Sequence, residues 1–493
     1  MKFEDIESLF QFNKNSEFIR TERGFVPYSE LLMSIHRLSK KLSSFEGKIV
    51  GIVAPVNGLC LVDFICLLLS LLKLNAKVLI LSPKEPPLKI KERVQSIRCN
   101  HILFFPDKIN HVEELKSIFQ RKNHYFSSNF NGPDSPDLDS LWIGEVETKE
   151  SNLSLPDEPW IIISTSGSGG KPKNVVLTLD NLFTNARFSN RNIKFQGSDT
   201  WFLSLPVFHV SGLSIIFRAI ESGSRVFLSH YGLDLCSDWL PEDITHVSLV
   251  STLLWRILKS NSPKIYDRFR KLKAILLGGG PIPQAIVKKS YNLGWHLYTT
   301  YGMTEMASQI TTTVENDTLE HLFTSGKPLI PDTVKLGAEG EISVRGPTRF
   351  IGYLDEGQLK TPFDKDGWFE TGDVGKWTDD GYLCISGRKD SMFVCGGENI
   401  FPEEIETCIL ESGIVNKAIV IPQPDDEYGM IPIAYVEFVN NSTEERLISY
   451  LRTRLSGIRI PRKIYPLPEG FKNSGMKLSR NELIEYVNRQ KDK

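Results

Sequence analysis

The sequence predicts an α/β protein with a large N-terminal domain, 1–389, and a small α+β C-terminal domain, 390–493. The large domain is expected to stack mostly parallel sheets with helices and to carry a small β-barrel-like part. Three observations lead there. Apolar strand-like runs alternate with helix-like runs through most of the chain, as in parallel sheets covered on both faces. From "KLGAEGEISVRGP" to "CISGRKDSMFVCGG" the segments become short and glycine-punctuated, as in antiparallel hairpins. A helix, two strands and two helices then close the chain. At 493 residues it is too long for one core, on a prior of about 150 residues per domain.

"YSELLMSIHRLSKKL" places apolar residues at helical spacing and reads as an amphipathic surface helix. "KIVGIVAP" reads as a strand, Leu59 to Leu74 as an apolar helix and "AKVLILSP" as the next strand, a β-α-β run. That helix carries Asp63 and falls short of the ~20 residues of a membrane span, so it is expected to be buried in the protein. Alternation continues through "HILFF", "TWFLSLP", "GLSIIFRAIESG", "SRVFLS", "HVSLVS", "LLWRILKS" and "KLKAILLGGG". In the C-terminal segment, helix "FPEEIETCILES" precedes strands "NKAIVIPQP" and "IPIAYVEFV", then helices "TEERLISYLRTRL" and "SRNELIEYV". Pro402 with Glu403, Glu404 and Glu406 suits a helix start, which assigns these carboxylates a structural role.

An apolar content of 41% and a charged content of 24% are those of an ordinary soluble globular enzyme. The net charge of −2 provides no global electrostatic case for nucleic acid or an acidic membrane as partner. The seven cysteines show neither C-x-x-C nor a Cys/His spacing suited to zinc, and are expected as reduced thiols. The N-terminal "MKFEDIESLFQFNKNSEF" has acids throughout and no apolar signal-peptide core, so a cytoplasmic location is expected.

Candidate chemistry begins at "STSGSGGKPKN", residues 164–174, which follows the strand-like run Trp160 to Ser164. Glycines let backbone N–H groups point inward, and Ser, Thr and Lys add donors and charge, a composition suited to phosphate. The P-loop pattern fails: Thr165 stands where its first glycine belongs and Pro172 where its magnesium-binding hydroxyl belongs. A flexible linker shares the composition but rarely follows directly on an apolar strand. In "YTTYGMTEMAS", Thr304 and Glu305 place a hydroxyl beside a carboxylate, able to hold a phosphate oxygen and its magnesium; a plain helix cap at Thr304 fits equally. Asp373 in "GWFETGDVG" suits the two hydroxyls of a ribose or an ordinary Asx-turn. His209 in "LPVFHVSGLS" reads as a core histidine or a catalyst, and Lys477 in "KNSGMKLSRNEL" as a solvated turn lysine or a catalyst.

In their order and spacing these segments, from about Trp160 to Leu483, resemble the adenylate-forming superfamily of acyl- and aryl-CoA ligases, peptide-synthetase adenylation domains and beetle luciferases. The resemblance implies ATP, magnesium and coenzyme A as co-substrates and cofactor, and a carboxylic acid as the partner substrate. It also implies a mobile C-terminal domain that turns about Asp390. Thr165, Ser166, Gly167, Ser168, Gly169, Gly170, Lys171 and Lys173 would form the loop over the β- and γ-phosphates, with Asn174 in place of a usual glycine and tolerant of left-handed backbone. Gly278, Gly279, Gly280 and Pro281 would form the adenine-side strand and turn with Tyr301 stacking near the base, Gly302 and Met303 would also bind ATP, and Asp373 with Arg388 would take the ribose. Thr304 would contact the α-phosphate, Glu305 would hold magnesium, and Lys477 would be the catalytic lysine, although Met476 replaces the glycine usual before it.

"LPVFHVSGLSIIFRAI", "LLGGGPIP" and "YGMTEMASQITT" are most similar to the o-succinylbenzoate–CoA ligases of menaquinone synthesis. By that likeness His209 would gate the pantetheine tunnel, and Arg218, Ser211 and Ser308 would meet the acyl group, with Gln309 beside Ser308 on the pocket wall. Arg218 could as well make a helix-surface salt bridge. Other aryl- or medium-chain acyl-CoA ligases, and a stand-alone adenylation enzyme loading a carrier protein, share most of these motifs. Neither nucleic acid nor a membrane span is expected, and a homo-oligomer is compatible with the sequence.

Overall fold

Alternate residues of the central strands belong to different cores, and this alternation defines the layers. In the computed structural model, which describes residues 1–22, 24–55, 60–105, 112–121, 141–145, 156–165, 173–229, 235, 240–439, 442–455, 457–472 and 480–491, two nine-stranded sheets face each other across a shared apolar layer. Val50, Ile52, Val78, Ile80, Ile161 and Ile163 of one sheet join that inner layer, as do Trp201, Val226, Leu276 and Tyr298 of the other. Their strand neighbours Val53, Leu79, Leu81 and Ile162 point outward into a separate core with helices Pro87–Ser96 and Val112–Ile118. On the far side Val247, Ile275 and Leu277 do the same with helices Ser251–Lys259, Pro263–Arg270 and Gln284–Asn292. Period-two side-chain alternation thus produces two faces, each needing its own cover.

The helix Cys60–Lys73 fills the inner layer, with residues from Leu61 to Leu72 almost wholly buried. A helix that is apolar all round must be enclosed. This is the run that the sequence places inside the protein, and no helix among the described residues is long and apolar enough to cross a membrane. Helices Tyr28–Lys41, Leu179–Ile193 and Val210–Ser222 contribute to the same layer.

Parallel pairing occupies the centre of each sheet. In the first, Trp160–Thr165, Lys77–Leu81, Ile49–Val53 and His101–Phe104 are parallel neighbours. In the second, Leu297–Met303, Ala274–Leu277, His246–Leu249, Thr200–Phe202 and Arg225–Phe227 are. The edges are antiparallel. A four-stranded antiparallel sheet, Val334–Leu336, Glu341–Val344, Phe369–Trp377 and Leu383–Arg388, follows where the sequence predicts hairpins.

From Phe393 onward the chain has its own apolar core, built by Ile405, Ile409, Val420, Ile433, Leu447, Leu451 and Leu483. The long hairpin Val415–Asp425 with Gly429–Phe438 is its backbone. Arg480 is held between Glu403 and Glu406 at 2.7 Å each, so these glutamates are structural, as expected from their place in the helix Pro402–Glu411.

Candidate active site

The phosphate-loop residues lie between two strands of one hairpin, not between a strand and a helix. Trp160–Thr165 pairs antiparallel with Lys173–Thr178, in register Ser164 to Asn174 and Thr165 to Lys173. This agrees with the failed P-loop pattern, since that motif needs a helix after its loop. Asn174 is a strand residue here and uses no left-handed backbone. Its side chain accepts from Ser164 Oγ at 2.7 Å and donates to the Leu354 carbonyl at 3.1 Å. The expected left-handed tolerance is therefore replaced by a cross-strand clamp. Ser166, Gly167, Ser168, Gly169, Gly170 and Lys171 lie outside the described residues, as do Met476 and Lys477.

Strand Leu297–Met303 delivers the next group. Gly302 sits at an irregularity in its pairing with Ser308–Thr312, and a Cβ there would lie 2.1 Å from the Ser308 carbonyl oxygen. Only glycine permits that approach. A short 3-10 turn, Thr304–Met306, then swings the chain back through Ala307 at φ 56° and Ser308 at φ 130°. Two consecutive non-glycine residues in this region store strain of about 1–3 kcal/mol each. The turn drives the Glu305 carboxylate inward, to 8% exposure. The Thr304 hydroxyl caps no helix and has no partner among the described residues. Burial raises the Glu305 pKa, opposed by a hydrogen bond from Tyr353 Oη at 2.8 Å and by the charge of Lys173. Tyr353 was not among the sequence candidates. Lys173 Nζ lies over its ring at 5.1 Å, so Tyr353 joins the end of the phosphate hairpin to the carboxylate.

Gly279, at φ 85°, with Gly280 and Pro281 forms an exposed turn after the strand Ala274–Leu277, held by Ser251 Oγ on the Pro281 carbonyl at 2.7 Å. Tyr301 Oη donates to Asp373 Oδ2 at 2.5 Å. Asp373 and Arg388 are register partners on adjacent strands, with Arg388 Nη1 at 3.2 Å from Asp373 Oδ1. The same guanidinium reaches Asp390 at 3.2 Å, so the expected ribose pair and the expected hinge residue share one arginine. Lys389 beside it is paired with Glu341, and the backbone N–H of Gln284 donates to Glu411 Oε1 at 2.8 Å, tying the C-terminal unit to the rest.

His209 is exposed and begins the helix Val210–Ser222, which rules out the core-histidine alternative. Desolvation and the nearby Lys84 lower its pKa. Ser211 is half-buried in the first turn of the same helix, and Ser308 is 9% exposed.

Arg218 makes no helix-surface salt bridge: it is 1% exposed and forms no ion pair among the described residues. Its Nη2 donates to Gln309 Oε1 at 2.7 Å, its guanidinium lies 5.0 Å from the Trp201 ring centre, and its Nε has no partner. Burial pulls its pKa down to about 9, which still leaves it charged at neutral pH. Asn185 donates to the carbonyls of Met306 at 3.2 Å and Gln309 at 2.7 Å, anchoring this cluster to the turn that carries Glu305.

One buried carboxylate, the Thr304 hydroxyl, a flanking lysine and an Asp/Arg pair are the kinds of group that hold a nucleotide with its magnesium. No group of three or more His, Cys, Asp or Glu among the described residues could hold a metal alone. Magnesium suits such a site because it binds through one or two carboxylates and the substrate's phosphates.

Comparison with known proteins identifies the family. The AMP-binding enzyme family matches residues 11–354, and the AMP-binding enzyme C-terminal domain matches residues 404–476. A 2-succinylbenzoate–CoA ligase of Listeria monocytogenes is 36% identical over 326 residues, 66% of this chain and 69% of that protein. The corresponding enzyme of Bacillus cytotoxicus is 35% identical, over 67% and 70%. Among solved structures, an E. coli MenE variant with bound OSB-AMS superposes with TM-score 0.76 at 29% identity, covering 98% of each chain. Bacillus subtilis MenE in complex with ATP and magnesium superposes with TM-score 0.76 at 25% identity, covering 97% of this chain and 99% of that one. The chain belongs to the AMP-binding enzyme family.

Proposed function

We propose that this member of the family is an ATP-dependent o-succinylbenzoate–CoA ligase of menaquinone synthesis. Adenylate-forming chemistry follows from the family. The choice of acid rests on one observation, the buried Arg218 guanidinium that no carboxylate among the described residues neutralises, linked through Gln309 and Asn185 to the turn of Glu305. A substrate with a second carboxylate completes that pair, whereas a fatty acyl tail would leave a buried cation facing hydrocarbon. The 2-succinylbenzoate–CoA ligase relatives support the same acid.

In the first half-reaction the aliphatic carboxylate attacks the α-phosphorus of ATP and pyrophosphate leaves, giving an acyl-adenylate. The protein positions two anions that repel each other and neutralises the charge that develops. Thr304 offers its hydroxyl to the α-phosphate, Asp373 takes the ribose hydroxyls, and Arg388 fixes Asp373. Magnesium, held at Glu305, supplies further charge neutralisation on the phosphates. In the second half-reaction the CoA thiol attacks the acyl carbonyl and AMP leaves. The proposed hinge at Asp390, between units 1–389 and 390–493, exchanges Lys477 for a CoA-admitting surface, with His209 at the tunnel mouth.

Three arguments support the assignment of Lys477, His209 and the hinge: the motif order, the separate C-terminal core, and the exposure of His209 and Asp390. A cytoplasmic enzyme is the natural setting for these soluble substrates.

The deciding experiment is pyrophosphate release from Mg-ATP with CoA and o-succinylbenzoate, benzoate, coumarate or octanoate, with the thioester identified by mass spectrometry. Selective turnover of o-succinylbenzoate supports the proposal, and preference for another acid replaces the substrate while keeping the mechanism. Lys477→Ala is expected to lower adenylation on the order of 10²–10³-fold and to spare thioesterification of supplied acyl-adenylate. Equal loss of both half-reactions would sink the two-conformation reading.

A further inference from the structure

We propose that Gln309 makes the enzyme require a second carboxylate on its acid, by giving Arg218 a neutral acceptor where an ion-pairing carboxylate would cancel its charge. The inference rests on the o-succinylbenzoate reading above and assigns the selectivity to a residue that does not itself carry charge.

The orientation of the Gln309 amide is dictated by its neighbours. Thr312 Oγ1 donates to the Thr311 carbonyl at 2.7 Å, so toward Gln309 it acts as an acceptor, and Gln309 Nε2 lies 2.7 Å from it. The amide oxygen must then face the other way, where it accepts from Ser189 Oγ at 2.5 Å and Arg218 Nη2 at 2.7 Å. Gln309 is 4% exposed and Ser189 fully buried, so water does not replace these contacts. An amide oxygen satisfies one guanidinium N–H while leaving the positive charge intact.

Among the described residues, the other groups packed on Arg218 are also neutral. Trp201 presents a ring face, and His246, buried against Trp201, has its pKa pushed down to about 4 and carries no charge at neutral pH. A buried cation without an anion is costly, and a substrate carboxylate relieves that cost while an uncharged ring does not. Geometry links the cation to the reacting end. Gln309 follows Glu305 by four residues, Asn185 fastens both Met306 and Gln309, and a small cavity is lined by Asn185, Phe188, Met306 and Gln309.

The test compares wild type, Gln309→Glu and Gln309→Met with two acids, o-succinylbenzoate and 4-oxo-4-phenylbutyrate, which lacks only the ring carboxylate. Pyrophosphate release gives kcat/KM for each, and thermal melting checks that the variants fold. Gln309→Glu pairs internally with Arg218 and is expected to lower kcat/KM for the diacid roughly 10²-fold while leaving the monoacid within about threefold. Gln309→Met removes the acceptor that holds Arg218 without adding charge and should narrow the preference for the diacid, by less than Gln309→Glu does. Equal loss of both acids in Gln309→Glu, or an unchanged preference, overturns the proposal. If Gln309→Glu does not fold, Gln309→Met decides, and an unchanged diacid preference in it overturns the proposal. A wild type that prefers the diacid while Gln309→Glu does so equally removes only this assignment. A wild type without such a preference removes the o-succinylbenzoate reading too.

Discussion

Arg388 and Arg218 are the same side chain in opposite settings. Arg388 is over a third exposed and bound by two carboxylates, Asp373 and Asp390. Partial burial pulls its pKa down, but the two aspartates outweigh this and leave it raised. Arg218 is enclosed, bound by an amide and an indole face, and its pKa is lowered. A cation matched within the protein is a fixed strut, whereas one left unmatched in a dry pocket is a demand on whatever enters. The first suits a ribose site common to every reaction of the family, and the second suits the choice of acid.

The largest expected effect comes from removing the unmatched charge. Arg218→Met keeps the bulk of the side chain and should lower kcat/KM for o-succinylbenzoate on the order of 10²–10³-fold, with the KM for ATP unchanged. A matching rise in the KM for ATP would erase the contrast between the two arginines. Arg388→Met is expected to act on the other substrate. It should raise the KM for ATP roughly tenfold, the loss of one or two charge-assisted hydrogen bonds, and leave the preference among acids untouched. Altered acid preference in that variant would show that the two clusters are not separate.

A third cation sharpens the comparison because it titrates. His321 lies between Asp317 at 2.5 Å and Asp380 at 2.6 Å, stacked on Tyr382. Desolvation lowers its pKa, but the hydrogen bonds and charges of the two aspartates win, and the native value is raised above 6.5. Its stabilisation is therefore fully present below about pH 6.5 and is lost as pH rises through the native pKa. Urea midpoints measured across neutral pH should fall with rising pH in wild type and flatten in His321→Gln. An equal slope in both would mean that the matched pair contributes nothing, and the effect is the smallest of the three.

The local chemistry of the site was legible because adjacent residues carry it. Thr304 beside Glu305, Gly302 before them, and Asp373 within its own turn are short-range patterns. The rejection of the P-loop also held, for the sequence shows Pro172 where a helix would need a hydroxyl. Tyr353 escaped notice because it meets Glu305 across 48 residues of chain, through the pairing of Gly352–Asp355 with Lys173–Thr178. Ser189 meets Gln309 across 120 residues, and no spacing rule reaches that far. His209 illustrates the converse: its apolar neighbours suggested a core residue, but the helix begins at it and leaves its ring at the surface.

The sequence by itself determined the strands and helices and their grouping into a large α/β part and a small α+β part, and it nominated residues for a nucleotide site. Hydrophobic period and glycine placement act over a few residues, so they survive in a linear reading. Only the tertiary structure decided that Asn174 clamps two strands, that Tyr353 supports Glu305, and that Arg218 is buried without an anion while Arg388 is held by two. Those outcomes depend on desolvation and on the nearest charge in space, and both are set by neighbours far away along the chain.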